Sequence, residues 1–240
     1  MNLKLNSYYN MDCMEGMKQI PDKYIDLAIV DPPYGHCKIG TDRSGLVPQK
    51  NGSITRVESK MIGNTDWNIA PDEEYFKELL RVSKNQIIWG VNYLDLPKEY
   101  NSGGRIVWDK CNDGTDQSDC EIAYNSLSNK VDIFRYMWRG MMQGKSITEG
   151  HIQQGDKSKN EKRIHPTQKP VALYKWQLMK YAKLGWRILD THVGSASSLI
   201  ACHEMGFEFI GFEVDKVYFI GSNNRLEKVR SQLSMFQMAQ

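Results

Sequence analysis

The sequence predicts an α/β fold in which a mostly parallel, twisted sheet carries helices on both faces. The run from Ile25 to Val30 is apolar and rich in branched residues, as is typical of a buried strand. A strand, a small-residue turn, a helix and a second strand follow one another from Trp186 to Asp215. Strand-like and helical segments also alternate along much of the intervening chain, which is the pattern of a domain built on a parallel sheet.

Length and composition favour one domain over residues 1–240. The 40% hydrophobic content is enough for one core, and the net charge of +2 says little about partners. The five cysteines contain no CxxC pair, so we expect no zinc or other metal site and reduced thiols, as in a cytoplasm. We expect neither a signal peptide nor a membrane partner, because no apolar run approaches the length of either segment.

The first half of the chain alternates strands and helices. An edge strand over residues 3–9 precedes a helix over 14–20, and Asp12 at the turn between them is expected to cap that helix, a role that still allows ligand contact. A helix over 71–83 starts at Pro71, has acidic residues at the positive end of its dipole and buries one apolar face. Branched and aromatic residues then predict strands over 86–90, 105–109 and 121–124.

The second half completes the alternation. Apolar spacing predicts a helix over 171–183 whose core positions include Met179. A strand over 186–190, a helix over 199–205, a strand over 209–215 and a final helix over 216–235 follow.

Two segments lack this periodicity and carry an excess of basic residues. Residues 36–66 are rich in Gly, Ser and Asn, and we interpret them as a mobile flap next to Tyr34. Residues 130–163 interleave aromatic and basic residues, which fits either a solvated surface or an arm that contacts nucleic acid by neutralising phosphates. The candidate DNA-binding residues in the two segments are Lys38, Arg43, Arg135, Arg139 and Lys145.

The segment Asp31-Pro32-Pro33-Tyr34 ends the first buried strand and carries the candidate catalytic group. Two prolines cannot continue a sheet ladder, so the chain leaves the sheet at the carboxyl end of the strand, where α/β sheets place ligands. The Asp31 carboxylate and the Pro32 carbonyl can accept both hydrogens of a nucleobase amine, which localises the nitrogen lone pair for attack on an electrophilic methyl group. Tyr34 can stack on a base extruded from a duplex. The tetrapeptide alone also fits a plain strand-ending turn.

The turn from Thr191 to Ser198 is the candidate cofactor site. Gly194 and the serines allow close backbone approach, and the following helix N-terminus offers N–H groups to an anionic group. Glu213, at the end of the next strand, can bind ribose hydroxyls. The spacing is not G-x-G-x-x-G, so S-adenosylmethionine fits better than a dinucleotide, with its amino-acid end at the turn.

Three segments together resemble the amino-methyltransferases of DNA that modify adenine N6 or cytosine N4, in the permuted β type. They are Asp31 to Tyr34, His165-Pro166-Thr167-Gln168-Lys169-Pro170, and Asp190 to Ser198 with Glu213 and Asp215. The resemblance spans roughly residues 10–225 and implies the Rossmann-like fold of S-adenosylmethionine-dependent methyltransferases, with the catalytic half before the cofactor half. It also implies duplex DNA with a flipped base as partner, a homodimer as a common assembly, and a bacterial or phage-infected cytosol as the setting.

The resemblance further assigns roles residue by residue. Catalysis falls to Asp31, Pro32, Pro33 and Tyr34. The implied cofactor site comprises Asp12, Cys13, Asp31, Thr167, Gln168, Lys169, Asp190, His192, Gly194, Ser195, Ala196, Ser197, Ser198, Glu213, Val214 and Asp215.

The cofactor turn departs from the family pattern Asp-Pro-Phe-x-Gly-Ser-Gly-Thr at Thr191, His192 and Ala196. Alanine narrows the backbone freedom of a tight turn, so a DNA-binding regulator with a degenerate, inactive cofactor site stays open as an alternative. Within the enzyme class, the Asp at position 31 favours adenine N6 by resemblance, with cytosine N4 as the alternative. Cytosine C5 chemistry is excluded because no proline precedes a cysteine, and the glutamine-modifying enzymes resemble Asn-Pro-Pro-Tyr at this place.

Overall fold

The computed structural model describes residues 3–35, 45–48, 54–57, 68–113, 118–139, 142–144 and 160–238. Five helices and twelve strands lie in these ranges, with a 3₁₀ turn at Lys98–Tyr100. In chain order the elements are β1 (Ser7–Asn10), α1 (Cys13–Lys18), β2 (Ile25–Val30), β3 (Gly45–Pro48), β4 (Ile54–Val57), α2 (Glu73–Val82), β5 (Ser83–Trp89), β6 (Gly104–Asp109), β7 (Cys120–Asn125), β8 (Val131–Arg135), β9 (Met137–Arg139), β10 (Met142–Gly144), α3 (Val171–Tyr181), β11 (Arg187–Asp190), α4 (Ser197–Glu204), β12 (Glu208–Glu213) and α5 (Lys216–Met238).

The central sheet has the order β1-β12-β11-β2-β5-β7-β6-β8. Strand β7 runs antiparallel to both of its neighbours, and the other pairings in this sheet are parallel. The sequence-based prediction of a mostly parallel α/β sheet is therefore confirmed. The carboxyl ends of β1, β12, β11, β2 and β5 all lie at one edge, which is where this class of sheet binds ligands.

Strand β2 is buried on both faces because helices cover the sheet from two sides. Leu27 and Ile29 belong to the core cluster that includes α3 and α4, whereas Ala28 and Val30 belong to the cluster that includes α1 and α2. Alternate side chains of one strand thus enter opposite cores, which explains the unbroken apolar run in the sequence.

Helix α2 shows how local chemistry sets an element boundary. The helix begins at Glu73, later than the predicted Pro71, because the Asp72 side chain accepts the Tyr75 N–H at 3.1 Å. Tyr75 is among the residues that this helix buries against the sheet. At the other end Ser83 turns to an extended backbone and begins β5 directly.

Four expectations need correction or limits. The sequence places residues 131–135 in an inserted arm, but they form β8, an edge strand of the main sheet paired with β6, because their in–out alternation is hidden among charged residues. Within 36–66, an antiparallel pair of β3 and β4 is present. Met179, expected in the core, is 70% exposed. Lys38, Arg43 and Lys145 lie outside the described residues.

Helices in the described ranges are all too short or too polar to cross a bilayer.

Candidate active site

The candidate catalytic loop and the candidate cofactor turn leave neighbouring strands at the same edge. Strands β2 and β11 pair in parallel, with Leu27 opposite Ile188 and Ala28 opposite Leu189. Asp31 follows β2 directly and Asp190 ends β11, so the two acids start adjacent loops. Burial raises the pKa of Asp190 to about 7, and the nearby Asp31 and Glu213 carboxylates act in the same direction.

Both oxygens of the Asp31 carboxylate have partners within the protein. The Tyr34 hydroxyl donates to Oδ1 at 2.6 Å. The Lys169 ammonium donates to Oδ2 as an ion pair. A carboxylate has about four lone-pair positions, so both oxygens retain a position for a further donor.

Lys169 is the buried cation of the site, with only 3% of its side chain exposed. Its ammonium lies 3.0 Å from Glu121 Oε2 and 3.5 Å from the Tyr34 hydroxyl, and 5.5 Å above the Trp89 ring. Burial alone would lower the pKa of Lys169, but Asp31 and Glu121 outweigh it and hold the pKa above its usual value. The family resemblance assigns Lys169 to the cofactor, whereas the structure places its ammonium on the catalytic loop.

Glu121 is a member of the site that the sequence reasoning did not single out. It lies on β7 and pairs with Lys110 at 2.6 Å as well as with Lys169. Burial would raise its pKa, but the two ammonium groups lower it to about 2. The available signal was an acid inside a short strand otherwise made of Ile122, Ala123 and Tyr124.

The Tyr34 ring does not stand free above the site. It stacks on Tyr93 with ring centroids 5.2 Å apart and an interplanar angle of 27°. Gly90, which follows β5, makes room for it: a Cβ atom there would come within 1.9 Å of the ring. Burial raises the pKa of Tyr34, and Asp31 adds to the rise, so its hydroxyl stays a donor. A stacked base would have to share or replace Tyr93.

Hydrogen bonds of its own serines hold the cofactor turn in place. Ser198 Oγ donates to Asp190 Oδ2, and Ser195 Oγ lies 3.0 Å from Ser197 Oγ. Arg225 on α5 donates to the Ser195 carbonyl at 2.6 Å and to Ser197 Oγ at 3.0 Å. These three serine side chains are therefore buried supports of the turn.

Two residues of the turn have positive φ. Gly194 has φ +54°, and a Cβ atom added there would find the His165 ring as its nearest neighbour, 3.7 Å away. Ala196 has φ +63° and ψ +20° and immediately precedes α4. The left-handed region costs a non-glycine residue about 1–2 kcal/mol. The alanine that replaces the family's glycine thus adopts the glycine conformation and is strained.

Thr191 and His192, the other two departures from the family pattern, have specific partners. Thr191 Oγ1 lies 2.7 Å from the Tyr75 hydroxyl and 2.9 Å from His192 Nδ1. The His192 ring packs edge-on against Tyr75 and its Nε2 lies 3.9 Å from Cys13 Sγ. Burial lowers the pKa of His192 to about 4, so the ring is neutral at pH 7.

The ends of β1 and β12 place acidic groups beside the turn. Glu213 accepts the Gly194 N–H at 2.8 Å and the Asp215 N–H at 2.9 Å, which orients its carboxylate. Asp215 caps α5 through the Val217 and Tyr218 N–H groups. Asp12 caps α1, as expected, through the Met14 and Glu15 N–H groups. Val214 is 55% exposed next to Glu213.

The segment before α3 carries two further candidate cofactor residues, Thr167 and Gln168. Thr167 is exposed, with its hydroxyl 3.1 Å from His165 Nδ1. Gln168 is buried and bonds its own loop, donating to Glu161 and accepting the Ile164 N–H at 2.9 Å. Tyr174 on α3, another residue that the sequence reasoning did not single out, is buried close enough to Asp31 and Asp190 for both carboxylates to raise its pKa, after burial itself.

The described part of the basic segment reaches this site through Glu161, which accepts a hydrogen bond from Gln168 and forms an ion pair with Arg225. Arg135 lies on edge strand β8 and pairs with Asp109 at 3.2 Å, with half of its side chain exposed. Arg139 belongs to β9, and its side chain is outside the described set.

Comparison with known proteins identifies the family of this chain. The family model for DNA methylases of the N6 and N4 type matches residues 83–223, more than half of the chain. The chain belongs to this DNA methylase family. Among curated relatives of this methylase, Type II methyltransferase M.HinfI of Haemophilus influenzae is 23% identical over 94% of this chain and 69% of its own length. Type II methyltransferase M1.MboII of Moraxella bovis is 22% identical over 94% of this chain and 99% of its own.

Solved structures similar to this methylase show the same fold. The M1.HpyAVI–SAM complex has a TM-score of 0.52 and 18% identity, covering 91% of this chain and 98% of that one. The cytosine-N4-specific PvuII DNA methyltransferase also has a TM-score of 0.52, with 12% identity, covering 94% of this chain and 90% of that one. At these identities the likeness concerns the fold alone.

Replacing Ala196 by glycine should stabilise this methylase. Ala196→Gly removes the left-handed strain and should raise the free energy of unfolding by about 1 kcal/mol, measured by urea denaturation. Ala201→Gly, the same change in the interior of α4, is the matched control and should lower stability by at least about 1 kcal/mol. Equal losses in both variants would show that the turn is not strained.

Replacing Gly90 by alanine should displace Tyr34. Gly90 and Gly185 both have positive φ, +74° and +82°, but only the Gly90 methyl would meet Tyr34, since nothing lies within 4 Å at Gly185. Each alanine variant should lose about 1–2 kcal/mol of stability. Because a shift of 1 Å in a positioned group can cost about 100-fold in rate, only Gly90→Ala should lower the DNA methylation rate strongly. Equal rates for the two variants would contradict a role for the Tyr34 position.

Proposed function

We propose that this chain transfers a methyl group from S-adenosylmethionine to the exocyclic amine of a base flipped out of duplex DNA, with adenine N6 as the target. The observation that carries the proposal is the location of Asp31 beside the turn after β11, fixed by the parallel pairing of β2 and β11. The proposal places the reaction in the bacterial cytosol, in the setting of restriction-modification that the Type II relatives M.HinfI and M1.MboII suggest.

The residues at the turn fit such a cofactor. Glu213 keeps lone pairs for ribose hydroxyls while two backbone N–H groups orient it, and Gly194 has no side chain that would obstruct a ligand at the turn. His192 and Val214 offer partly exposed apolar surface, and Thr167 offers an exposed hydroxyl. Asp12, Asp190 and Asp215 would act through the backbone that they hold. When bound, S-adenosylmethionine supplies an electrophilic methyl group on its sulfonium.

The catalytic loop would orient the attacking amine. Asp31 accepts one N–H and the Pro32 carbonyl accepts the other, which localises the nitrogen lone pair towards the methyl group. Pro33 fixes the loop, and Tyr34 provides an aromatic face for the base. The new N–C bond would form as the methyl–sulfur bond breaks and the thioether S-adenosylhomocysteine leaves. The amine nitrogen would then carry a positive charge, and Asp31 can take the proton that the nitrogen loses.

Cytosine N4 is the second candidate target. The amine of cytosine offers the same two N–H donors, and the PvuII enzyme, which shares this fold, is cytosine-N4-specific.

The test is to express the chain in cells free of adenine and cytosine methylation, digest their DNA and identify methylated nucleosides by mass spectrometry. N6-methyladenine is expected, N4-methylcytosine would move the assignment to the second candidate, and neither base would overturn the enzyme proposal. Calorimetry with S-adenosylmethionine then separates an enzyme from a DNA-binding regulator, since a regulator with a degenerate site should show no heat. Sequencing of modified positions would give the recognition site.

Replacing Asp31 by alanine should lower the methylation rate about 10²–10⁴-fold, because the amine loses its charged acceptor. The fold should hold, since Lys169 keeps Glu121 as a partner, and calorimetry should find S-adenosylmethionine binding retained. Asp22→Ala, a change at an exposed acid that pairs with Arg81, is the control and should keep full activity. Normal methylation by the Asp31 variant would remove this residue from the mechanism.

A further inference from the structure

The catalytic loop belongs to a row of alternating charges that runs away from the proposed methyl-transfer site. Asp31 pairs with Lys169, Lys169 with Glu121, and Glu121 with Lys110. The four side chains are between 3% and 23% exposed, so the row is largely withdrawn from solvent. Two carboxylates and two ammonium groups balance, and no net charge is left in the interior.

The Lys169 ammonium gives Asp31 an N–H donor, as the exocyclic amine of the proposed substrate would. Both are nitrogen donors that approach the same carboxylate. In this structure Lys169 and the Tyr34 hydroxyl occupy one position on each Asp31 oxygen. A target amine must therefore share an oxygen with one of them or displace it.

Displacement of Lys169 needs a destination, because a buried ammonium without a carboxylate costs several kcal/mol. Glu121 provides one, since its Oε2 is already 3.0 Å from the lysine nitrogen. Strand β7 fixes Glu121 in place, opposite Trp108 in the register with β6. Lys110, which follows β6, holds the other Glu121 oxygen at 2.6 Å.

We infer that Lys169 occupies the place of the target amine while no base is bound, and that Glu121 is the positioning residue that receives its ammonium when the base enters. This inference rests on the proposed methyl transfer at Asp31. Glu121 itself touches no substrate in this scheme. It lowers the cost of freeing Asp31 by keeping Lys169 paired throughout.

The decisive experiment is a double-mutant cycle on kcat/KM for methylation of a synthetic duplex that carries the recognition site. Among the described residues, Glu121→Gln leaves Asp31 as the one carboxylate that pairs with Lys169, so the base must break a stronger pair, and kcat/KM should fall about 100-fold. In a Lys169→Met background no ammonium group competes for Asp31, so the same Glu121→Gln change should alter kcat/KM by less than about threefold. Glu227→Gln, at an exposed pair with Arg230 on α5, is the control.

The pH profile gives a second signature that a merely structural role would not produce. In Glu121→Gln, Lys169 stays buried with one carboxylate fewer, so its pKa should fall below that of the wild type. As the pH rises from about 8 to about 10, Lys169 should lose its proton and release Asp31, so the variant should gain activity relative to wild type. Among the described residues, the titratable groups outside the row that face it are Tyr34, His165, Tyr174 and Asp190. Tyr34 and Tyr174 have raised pKa values, and burial and Lys169 lower that of His165 to about 4.

The outcomes separate this inference from the proposed function. Equal losses of kcat/KM from Glu121→Gln in both backgrounds would overturn the role of Glu121, and so would a pH profile parallel to that of the wild type. Neither result would contradict the proposed methyl transfer. No methylation by the wild type would overturn the proposed function instead. If thermal melts show that Glu121→Gln is unfolded, Glu121→Asp takes its place. Because its carboxylate is shorter, this variant should show the same background-dependent loss of kcat/KM and the same gain of activity at alkaline pH, both smaller. The absence of these two effects would count against the inference.

Discussion

The parallel pairing of β2 with β11 is the constraint on which the rest of the site depends. Adjacent strands lie about 4.8 Å apart, so loops that leave their carboxyl ends begin within one strand spacing of each other. The pairing of Leu27 with Ile188 and of Ala28 with Leu189 fixes which residues meet. Both strands are buried, and a slip of one residue would turn the β2 side chains to the wrong cores. The meeting of Asp31 with the cofactor turn is thus secured by the hydrophobic core.

The second constraint is electrostatic and follows from that burial. Electrostatic interactions with a nucleobase amine are stronger where water is excluded. Burial of an unpaired charge is also more costly there. Asp31, Lys169, Glu121 and Lys110 meet this by alternating in sign. The same ion pair that gives Asp31 a partner in the absence of DNA also puts a competing donor on it. The Lys169–Asp31 pair would therefore stabilise the free protein and lower its affinity for the base.

Sequence patterns predicted the parts of the fold that are local. Strand β2, the turn after β11 and strand β12 follow from runs of neighbouring residues, and so do the Asp12 cap and the long α2 helix. The contacts of Lys169 with Asp31 span 138 positions, and no local pattern contains them. Strand β8 was missed because an edge strand shows one polar face and buries little, so charged residues obscured its alternation. The role of Glu121 needed the antiparallel β7 to be placed in the sheet.

The departures from the family pattern at the cofactor turn argue against a site in decay. A residue that replaces a functional one by drift has no reason to acquire specific partners. Thr191 bonds Tyr75 on α2, and His192 packs on the same ring, so the two substitutions connect the turn to a neighbouring helix. Ala196 keeps the left-handed conformation that glycine would adopt freely, at a cost of about 1–2 kcal/mol. That conformation persists because the surrounding bonds, from Arg225 to Ser195 and from Ser198 to Asp190, determine the turn from outside it. Strain retained in a fully supported turn favours a site whose geometry is still used.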